Sequence, residues 1–449
     1  MLGFLRRLIP ERHPVRLLYH KLKGFFAALY YGFPASRMIV VGITGTNGKT
    51  TTTTLVTNIL TNAGYKVGMT STIGYQVAEK KWVNDSKQTT TGPFELQKLL
   101  KQMLNEGCKY AIIEVTSHAI DQSRVFGINF DIAVITNVTA DHIEYHGNFN
   151  NYLNAKGELF KKVSKGKRKF GVPKVFILNA DDKYYDFFDQ FVVDRKISYG
   201  LKSATVYAEQ IDKKPEGSRF ILHVPNNAIP VEIGMPGEFN IYNSLAAAAT
   251  CLALQVPLDK IKEGLKKSSS IAGRFEHVDA GQKYSVIVDY AHTPESLENL
   301  FALYKKLTQG RLFGVFGATG GGRDKAKRPL MGAAANEYCD YIVLTNDDPY
   351  TEDEWQIINQ IAEGIPRQEG KGFWKIPDRR EAIRLALTLA REGDTVVVAG
   401  KGAEEVIMLR GKRVQWNDKH VIKSLIEREI EVEISDDEWE KRKNGSLDN

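Results

Sequence analysis

The sequence predicts an α/β protein with two domains, each built around a mostly parallel sheet. From Met38 onward, short apolar runs that suit buried strands alternate with segments that suit helices. A second series of the same kind starts near Tyr284, and a glycine-rich loop follows the first strand-like run. Such alternation is typical of parallel sheets flanked by helices. The strand-like runs are Met38–Ile43, Tyr110–Val115, Asp131–Asn137, Val175–Asn179, Tyr284–Asp289, Leu312–Gly317, Tyr341–Thr345 and Thr395–Ala399.

The composition is that of an ordinary globular protein. The 449 residues are 43% hydrophobic and 26% charged, and this length is enough for two or three domains. The three cysteines, Cys108, Cys251 and Cys339, share no metal-ligand spacing. We therefore expect a reduced, cytoplasmic protein without a disulfide framework.

Positive charge is concentrated at the N-terminus. Residues 1–37 hold seven Lys/Arg against one Glu, which is six of the net seven positive charges, so the rest of the chain is close to neutral. The body of the protein is therefore not expected to bind nucleic acid. No apolar run reaches the length of a spanning helix. The start does not suit a signal peptide either, because it is interrupted by Pro10, Glu11 and His13.

The run Val15–Tyr31 predicts a basic amphipathic helix. Such a helix can lie on an anionic membrane surface, so peripheral membrane contact through residues 1–30 is one interpretation. Packing of the apolar face on the next domain is the other, because surface helices of globular proteins carry similar stripes. The apolar face would comprise Leu18, Leu22, Phe25, Phe26 and Leu29.

The glycine-rich stretch Gly42–Thr54 predicts a site for a nucleoside triphosphate. Gly45 and Gly48 let the backbone N–H groups converge on an anion at a helix N-terminus. Lys49 would neutralise the β- and γ-phosphates, and Thr50 would ligate Mg²⁺. The general phosphate-loop pattern is not met in full, since Ile43 occupies its first glycine position. The surrounding order of strand, loop and helix nevertheless favours a phosphate site over a chance turn.

Further polar residues follow the next strands, where open α/β sheets place their ligands. Glu114 ends one strand-like run, and Asp141 and His142 follow another; Lys156 lies fourteen residues after His142. A carboxylate and an imidazole near a triphosphate suit Mg²⁺. Singly, His118 or His142 could be an ordinary loop histidine, but the set after a phosphate loop favours a site.

Eight motifs, in this order, resemble the Mur ligases, the ATP-dependent amino-acid ligases of peptidoglycan precursor synthesis. Within that family the resemblance is closest to the branch that adds the third, diamino residue to UDP-N-acetylmuramoyl-L-alanyl-D-glutamate. It extends from about Met38 to His420. The motifs are TGTNGKTTT, EVTSHAI, NVTADHIEYHG, the AK of NYLNAKGELF, GEFNIYNSLAAAA, AGRFE, VDYAHTPESLE and GRDKAKRPLMG.

The resemblance implies a nucleotide site and a metal site. Lys49, His142 and Lys156 would be catalytic, with Lys156 carbamylated by CO₂ because a carbamate is an anion where an ammonium beside Mg²⁺ would repel it. Two Mg²⁺ ions are expected, held by Thr50, Glu114, His142 and the carbamate of Lys156. ATP would be bound by Gly45, Thr46, Asn47, Gly48, Lys49, Thr50, Thr51, Asn240, Asn243, Arg274 and Asp289.

The resemblance also implies the reaction and the substrate residues. ATP would phosphorylate a carboxylate to an acyl phosphate, which an amine then attacks to give an amide and phosphate. The nucleotide-sugar peptide would be held by Thr90, Thr91, Ser117, Gln122 and Arg124. The incoming amino acid would be held by Arg323, Asp347, Asp348, Tyr350, Gly400 and Glu404.

Two departures from the family pattern bear on the substrates. Thirty-seven residues before the ATP loop are too few for the family's UDP-binding domain, so we expect a partner chain to hold the UDP end or a lipid-linked acceptor to be used. In Thr345–Tyr350, Tyr350 replaces the arginine that pairs with the distal carboxylate of diaminopimelate, and Ala403 replaces the usual histidine. An acidic pocket without that arginine favours lysine or ornithine.

The expected organisation is a basic segment over residues 1–37, a central P-loop ATPase domain over 38–272 and a C-terminal Rossmann-like α/β domain with an acidic tail over 273–449. The first functional interpretation is the ligase described above. The second is a relative of the pseudomurein, cyanophycin or folylpolyglutamate type. The third is a partner-dependent subunit that keeps the fold as a scaffold, although a scaffold has no need of Lys49, Glu114 and Lys156.

Overall fold

The computed structural model describes residues 12–427 except 85, 87, 142, 215–216, 269–270 and 323, and it omits the side chain of Glu144. His142, Arg323 and the acidic tail from residue 428 therefore lie outside the described residues. The chain forms two compact units, one up to Ile271 (unit 1) and one from Ala272 onward (unit 2). Both units combine helices with a mostly parallel sheet, and this confirms the predicted α/β class.

The helices of unit 1 mostly surround one large sheet, and a short 3₁₀ turn, Pro34–Arg37, leads into it. They are α1 Pro14–Tyr31, α2 Lys49–Asn62, α3 Pro93–Asn105, α4 Ser117–Asp121, α5 Ile143–His146, α6 Phe149–Lys165, α7 Tyr185–Asp189, α8 Glu238–Ala253 and α9 Leu258–Lys267. The strands are β1 Ile39–Thr44, β2 Val67–Thr70, β3 Gly74–Val77, β4 Lys80–Val83, β5 Tyr110–Glu114, β6 Ile132–Ile135, β7 Val175–Asn179, β8 Arg195–Gly200, β9 Val206–Lys214, β10 Gly217–Val224 and β11 Asn227–Ile233.

The sheet of unit 1 has the strand order β11-β10-β9-β8-β7-β6-β1-β5-β2-β3-β4. The seven strands from β9 to β2 pair in parallel, and an antiparallel hairpin extends the sheet at each end. The central strand β1 is buried on both faces: Val41 and Ile43 join one hydrophobic cluster, and Val40 joins the other. Burial on both faces explains the continuous apolar runs by which these strands were predicted.

The strands of the two antiparallel extensions, β3, β4, β10 and β11, are among those that the sequence did not predict. Along β9 and β11, buried residues are mixed with exposed ones, so neither strand is a continuous apolar run. The sequence signal for these strands was the turn after Val224. Two residues connect the antiparallel strands β10 and β11 there, and the second, Asn226, has a φ of 63°. Asparagine tolerates this left-handed conformation and favours tight hairpins.

Unit 2 is built around a second, smaller sheet. Its helices are α10 Pro294–Leu307, α11 Lys327–Tyr338, α12 Glu354–Ala362 and α13 Arg379–Leu389, and residues 418–427 are also helical. Its strands are β12 Glu276–His277, β13 Ser285–Asp289, β14 Leu312–Phe316, β15 Tyr341–Leu344, β16 Phe373–Lys375, β17 Thr395–Ala399, β18 Val406–Leu409 and β19 Lys412–Gln415. The six-stranded sheet has the order β12-β13-β17-β14-β15-β16 and is parallel except for β12; β18 and β19 form a separate hairpin.

The predicted N-terminal helix is confirmed as α1, but the interpretation that its apolar face is buried is wrong. The residues of α1 that are buried are small, Gly24, Ala27 and Ala28. Leu18 and Phe26, both from the predicted apolar face, are 57% and 56% exposed. The helix packs on α3, its small residues Gly24 and Ala28 lie against residues 123–127, and its large apolar side chains are exposed. Among the described helices, none has the length and hydropathy needed to cross a bilayer.

Candidate active site

The loop between β1 and α2 has a backbone that requires glycine at two positions. Gly45 has a φ of 150°, and a Cβ atom there would lie 1.8 Å from the hydroxyl oxygen of Thr136. Gly48 has a φ of 81°, and a Cβ atom there would lie 2.2 Å from Oδ1 of Asn243. The loop therefore keeps its shape only with glycine at both positions. It leads directly into the N-terminus of α2 at Lys49, and the N-terminus of a helix favours an anion.

The loop is held by side chains that follow β6. The Asn137 side chain accepts a hydrogen bond from Asn47 N at 2.9 Å and donates one to Asn47 O at 3.0 Å. The Thr136 hydroxyl also donates to Asn47 O, at 2.6 Å. Asn137 was noted at the end of its strand, but its role in the loop was not predicted. These bonds hold the loop in the conformation described here.

Two oxygen ligands of the kind that Mg²⁺ prefers meet at the start of α2. The hydroxyl of Thr50 donates to the Glu114 carboxylate, with oxygen–oxygen distances of 3.0 and 3.1 Å. Thr72, which the sequence did not single out, donates to the same carboxylate from its backbone N at 2.8 Å and from its hydroxyl at 3.1 Å. Glu114 is buried. This pair of hard oxygen donors beside a phosphate loop fits Mg²⁺.

The predicted metal-ligand set is only partly within the described residues, because His142 lies outside them. Across the described ranges, no group of three or more His, Cys, Asp or Glu residues is placed to hold a metal ion. A Mg²⁺ ion at this loop would therefore depend on phosphate oxygens and on ligands of other kinds, such as the Thr50 hydroxyl.

Lys156 on α6 is a buried lysine at the phosphate loop. Its Nζ donates to Gly45 O at 2.7 Å and lies 4.4 Å from the centre of the Tyr152 ring. Burial, together with the charge of Lys49, lowers the pKa of Lys156 well below its usual range, although Asp141 acts in the opposite direction. A neutral amine is the form of lysine that reacts with CO₂, so the environment of Lys156 suits carbamylation.

Of the two asparagines of α8, Asn243 lies against the same loop at Gly48, and Asn240 lies behind it. Asn243 donates from Nδ2 to Oδ1 of Asn240 at 3.2 Å, and Asn240 donates to Pro236 O at 2.7 Å. Thr52 of α2 lies 3.4 Å from Oδ1 of Asn243. Both asparagines are buried, and each holds a neighbour in place.

Most of the residues expected to hold the acceptor form a connected group. The Arg124 guanidinium donates to Thr90 O at 2.7 Å and to the Gln122 side chain at 2.7 and 3.1 Å. The Thr90 hydroxyl in turn donates to the backbone oxygen of Glu114 at 2.8 Å. Thr91 is buried beside Thr90. These residues are therefore tied to the strand end that carries Glu114.

Ser117, the remaining residue expected at the acceptor, is paired with a histidine that sequence reasoning missed. The Ser117 hydroxyl lies 3.0 Å from Nε2 of His146, which is buried. The His146 ring lies 5.5 Å from that of His118 and 5.4 Å from that of Tyr152. The signal was present, because His146 belongs to the same NVTADHIEYHG stretch as His142.

In unit 2, Asp289 and Arg274 lie close to each other at the end of β13. Asp289 is buried and accepts hydrogen bonds from Phe275 N and Ala291 N, both at 2.8 Å. Burial raises the pKa of Asp289, and Arg274 acts in the opposite direction. The Arg274 guanidinium stacks over the Tyr290 ring at 4.7 Å. Asp289 thus fixes the backbone around Arg274 whatever else it binds.

The acidic residues expected at the amino-acid site surround a buried lysine that was not predicted. Lys401 Nζ lies 3.0 Å from Asp348 and 3.8 Å from Asp347, and it also contacts Glu404. Burial alone would lower the pKa of Lys401, but the three carboxylates raise it. The site is therefore less acidic than its sequence indicates, because one buried cation offsets part of the charge. The sequence feature that could have indicated Lys401 is its position as a charged residue between two glycines, Gly400 and Gly402.

A second buried cation, Arg379, positions the two loops of this site. It donates to Asn346 O at 3.0 Å and to Ala399 O at 2.9 Å, and it forms an ion pair with buried Asp418. Gly400 then lies close to Asp347, because a Cβ atom there would be 3.2 Å from the carboxylate. Tyr350, two residues after Asp348, is held by other contacts: its backbone N donates to Met408 O, and its ring lies against Gly321.

Two family models match the chain. A model of the Mur ligase middle domain matches residues 43–251, and a model of the Mur ligase, glutamate ligase domain matches residues 273–402.

Named relatives match most of the chain. A UDP-N-acetylmuramoyl-L-alanyl-D-glutamate–2,6-diaminopimelate ligase of Geobacillus thermodenitrificans is 40% identical over 406 residues, which cover 90% of this chain and 82% of that protein. A UDP-N-acetylmuramyl-tripeptide synthetase of a Roseiflexus species is 40% identical over 403 residues, covering 87% and 79%. A solved structure of a UDP-N-acetylmuramoyl-L-alanyl-D-glutamate–2,6-diaminopimelate ligase is 30% identical, with a TM-score of 0.61 over 87% of this chain and 79% of the other.

Proposed function

Because the chain belongs to the Mur ligase family, we propose that it joins an amino acid, by an ATP-dependent amide bond, to a muramyl-peptide carboxylate in peptidoglycan precursor synthesis. The single observation that carries the proposal is the cluster at the phosphate loop. There, Thr50 bonds Glu114 at 3.0 Å, and Lys156 bonds Gly45 O at 2.7 Å. A scaffold protein would have no reason to bury a carboxylate and a lysine beside a preformed anion site. The proposed location is the cytoplasm, where ATP is available.

The reaction has two steps. First, an oxygen of the acceptor carboxylate attacks the γ-phosphorus of ATP, ADP leaves, and an acyl phosphate forms. Then the neutral amine of the amino acid attacks the acyl carbon, the tetrahedral intermediate collapses, and phosphate leaves. The amine nitrogen loses one proton in this step. The protein contributes by holding the reacting groups together and by neutralising charge.

Unit 1 provides the groups for the first step. The backbone N–H groups around Gly48 and the N-terminus of α2 would bind the phosphates, and Lys49 would neutralise them. In the structure Lys49 Nζ donates to Thr46 O at 2.7 Å, so its side chain lies along the loop that would hold the anion. Asn240 and Asn243 are proposed on the adenine side, and Thr90, Ser117, Gln122 and Arg124 at the acceptor.

Thr50, Glu114 and a carbamylated Lys156 are the described residues proposed to hold Mg²⁺. When bound, Mg²⁺ would neutralise charge on the triphosphate and the transferring phosphoryl group. The environment of Lys156 supports the modification, since burial beside Lys49 disfavours the ammonium form. His142 completes the proposed set but lies outside the described residues.

Unit 2 provides the groups proposed for the amino acid. Three carboxylates, Asp347, Asp348 and Glu404, surround the single positive charge of Lys401, and this negative character favours a substrate with an additional amine. The named relatives support a diamino acid as the substrate class. Arg274 and Asp289 are proposed to contact the nucleotide.

A coupled assay of phosphate release tests the proposal. UDP-N-acetylmuramoyl-L-alanyl-D-glutamate should give release only when ATP, Mg²⁺ and a diamino acid are all present. Lys49→Ala should lower kcat by more than about 100-fold, because it removes charge neutralisation at the phosphates. Lys161→Ala is the matched control, since Lys161 is half exposed and bonded to Glu158. Phosphate release that needs no acceptor, or that survives in Lys49→Ala, would contradict the proposal.

A further inference from the structure

The outward face of α1 is a continuous apolar stripe on the surface of unit 1. It carries more than half of the large hydrophobic residues that are exposed in the described chain, each between 40% and 77% exposed. Their spacing follows the helical repeat, so they lie along one side over four turns. The stripe consists of Val15, Leu18, Tyr19, Leu22, Phe25, Phe26, Leu29 and Tyr30. Scattered exposed apolar residues are normal, but a contiguous stripe marks an interaction surface.

Basic residues run along both edges of this stripe. At 100° per residue, Lys21 lies at one edge, and Arg16 and Lys23 lie at the other. Between residues 12 and 37 there are five Lys or Arg and no Asp or Glu. The charge flanking the stripe is therefore of a single sign.

The opposite side of α1 is fixed to the body of unit 1, so the helix cannot turn to bury its stripe. A Cβ atom on Gly24 would lie 2.6 Å from Ser123 O, and one on Gly127 would lie 2.5 Å from Ala28 Cβ. Just before the helix, Arg12 pairs with Asp121 at 3.2 Å and donates to His146 O at 3.1 Å. The outward direction of the stripe is thus set by close packing and an ion pair.

We propose that the stripe of α1 binds the surface of an anionic lipid bilayer, with the helix in the plane of the interface. Apolar and aromatic side chains would enter the boundary between headgroups and acyl chains, while Lys21 and Lys23 would meet the phosphate headgroups. A second copy of the chain fits less well, because basic residues at both edges would face like charges across such an interface. This interaction is separate from the ligase reaction.

Docking would bring the acceptor residues close to the membrane. Ser123 contacts the inner side of α1, so it lies about one helix diameter, roughly 10 Å, from the proposed membrane face. Gln122 and Arg124 are its chain neighbours. The muramyl-peptide end of the site would therefore work beside the bilayer rather than in bulk solvent.

Vesicle co-sedimentation tests the proposal with the full chain. The wild type should sediment with vesicles of phosphatidylcholine and phosphatidylglycerol, less with phosphatidylcholine alone, and less at 0.5 M NaCl because salt screens the charges. The double variant Leu22→Asp/Phe26→Asp should lower binding by more than about tenfold. Its matched control is Phe170→Asp/Val192→Asp, which changes two exposed apolar residues outside α1 and should bind as the wild type does.

A second pair of variants separates charge from apolar contact. Lys21→Glu/Lys23→Glu should lower binding to anionic vesicles by more than about tenfold, and Lys80→Glu/Lys81→Glu, with the same change in net charge, should not. Thermal unfolding should be unchanged in all four variants, since every altered side chain except the half-buried Lys23 is exposed. The proposal is overturned if the wild type stays in the supernatant, or if both double variants of α1 bind normally. A dimer that Leu22→Asp/Phe26→Asp abolishes, without vesicle binding by the wild type, would instead identify a protein interface.

Discussion

At the scale of single residues, burial determines what Lys156 can do. A lysine on the surface remains an ammonium near pH 7, but this one is almost fully buried beside Lys49, and its pKa is strongly lowered. The sequence placed Lys156 among the polar residues that follow the phosphate loop, and the family resemblance alone indicated its carbamylation. The structure adds a physical reason, because desolvation favours the neutral amine that CO₂ can modify.

We predict that Lys156→Ala will lose nearly all turnover, because the metal site would lose its anionic ligand. Lys156→Glu should recover a small part, since it restores a carboxylate on a shorter side chain. In the wild type, added bicarbonate should raise phosphate release after dialysis against CO₂-free buffer, and native mass spectrometry should detect the added carboxyl group. Full activity in Lys156→Ala would exclude the proposed role in metal binding.

Tyr350 gives the second residue-scale prediction. Tyr350→Arg should raise kcat/KM for meso-diaminopimelate relative to lysine, because a guanidinium can pair with the second carboxylate. A bidentate ion pair of this kind contributes roughly 2–5 kcal/mol, which corresponds to a tens- to thousands-fold change in the ratio of kcat/KM for diaminopimelate to that for lysine. Tyr350→Phe is the control and should leave the ratio unchanged. Equal or better use of diaminopimelate by the wild type would mean that its second carboxylate is held elsewhere.

Sequence reasoning at this scale found residues that have chemical signatures and missed those that support them. Lys49, Thr50 and Glu114 carry recognisable patterns, and the structure brings Thr50 and Glu114 into contact. Lys401 and Arg379 were missed because a buried charge is defined by its surroundings. Nothing in the sequence states that Lys401 is enclosed by three carboxylates.

At the scale of secondary-structure elements, the close packing of α1 depends on Gly24. We predict that Gly24→Leu will destabilise the docking of α1 by roughly 1–3 kcal/mol, because its Cβ would lie 2.6 Å from Ser123 O. Amide hydrogen exchange should show faster exchange in α1 with little change in the central strands. Gly92→Ala is the control, since Gly92 has a φ of −63° and open space around it. Unchanged amide exchange in Gly24→Leu would show that the docking of α1 does not depend on the close contact between Gly24 and Ser123.

The ion pair between Arg328 on α11 and Glu352, just before α12, gives a prediction with a defined pH dependence. Arg328 is fully buried and donates to both oxygens of Glu352, at 2.8 and 3.1 Å. This interaction lowers the pKa of Glu352 from 4.5 to about 2. The stabilisation is therefore fully present above pH 4.5 and is lost as the pH falls towards 2.

Glu352→Gln should accordingly lower the free energy of unfolding by roughly 2–4 kcal/mol at pH 7, with a difference that shrinks below pH 4.5. Urea unfolding followed by tryptophan fluorescence measures this, because Trp355, Trp374 and Trp416 lie in unit 2. Glu381→Gln is the control: its partner Arg384 is exposed, so less than about 1 kcal/mol is expected. A difference that persists unchanged at pH 3 would contradict the assignment.

The elements themselves were predictable where burial is uniform. Strands such as β1 and β17 are apolar throughout because both faces are covered, and a run of that kind is visible in any sequence. The hairpins at the sheet ends were not predicted. Buried and exposed residues are mixed along their strands, and which residues are buried depends on the strands they pair with. The helix α1 was predicted, but which of its faces packs was not, because small residues can approach more closely than large ones.

At the scale of the whole molecule, the chain order and the spatial order of the large sheet differ strongly. The first strand in sequence, β1, lies in the middle of the sheet between β5 and β6. Val41 pairs with Ile112 on one side and with Ile132 on the other. Contacts between residues so far apart in sequence make folding slow and cooperative, since long loops must close before the strand is stabilised.

This arrangement sets when the phosphate loop can exist during synthesis. Asn137, which holds the loop through Asn47, is made 93 residues after Thr44. At ribosomal rates of 5–20 residues per second, the emerging loop waits roughly 5–20 s for its support. Ribosome-bound chains that expose residues only up to 120 should not be retained on immobilised ATP, and chains that expose all of unit 1 should be retained. A nascent chain would therefore not bind ATP until the strands on both sides of β1 have been synthesised and paired with it.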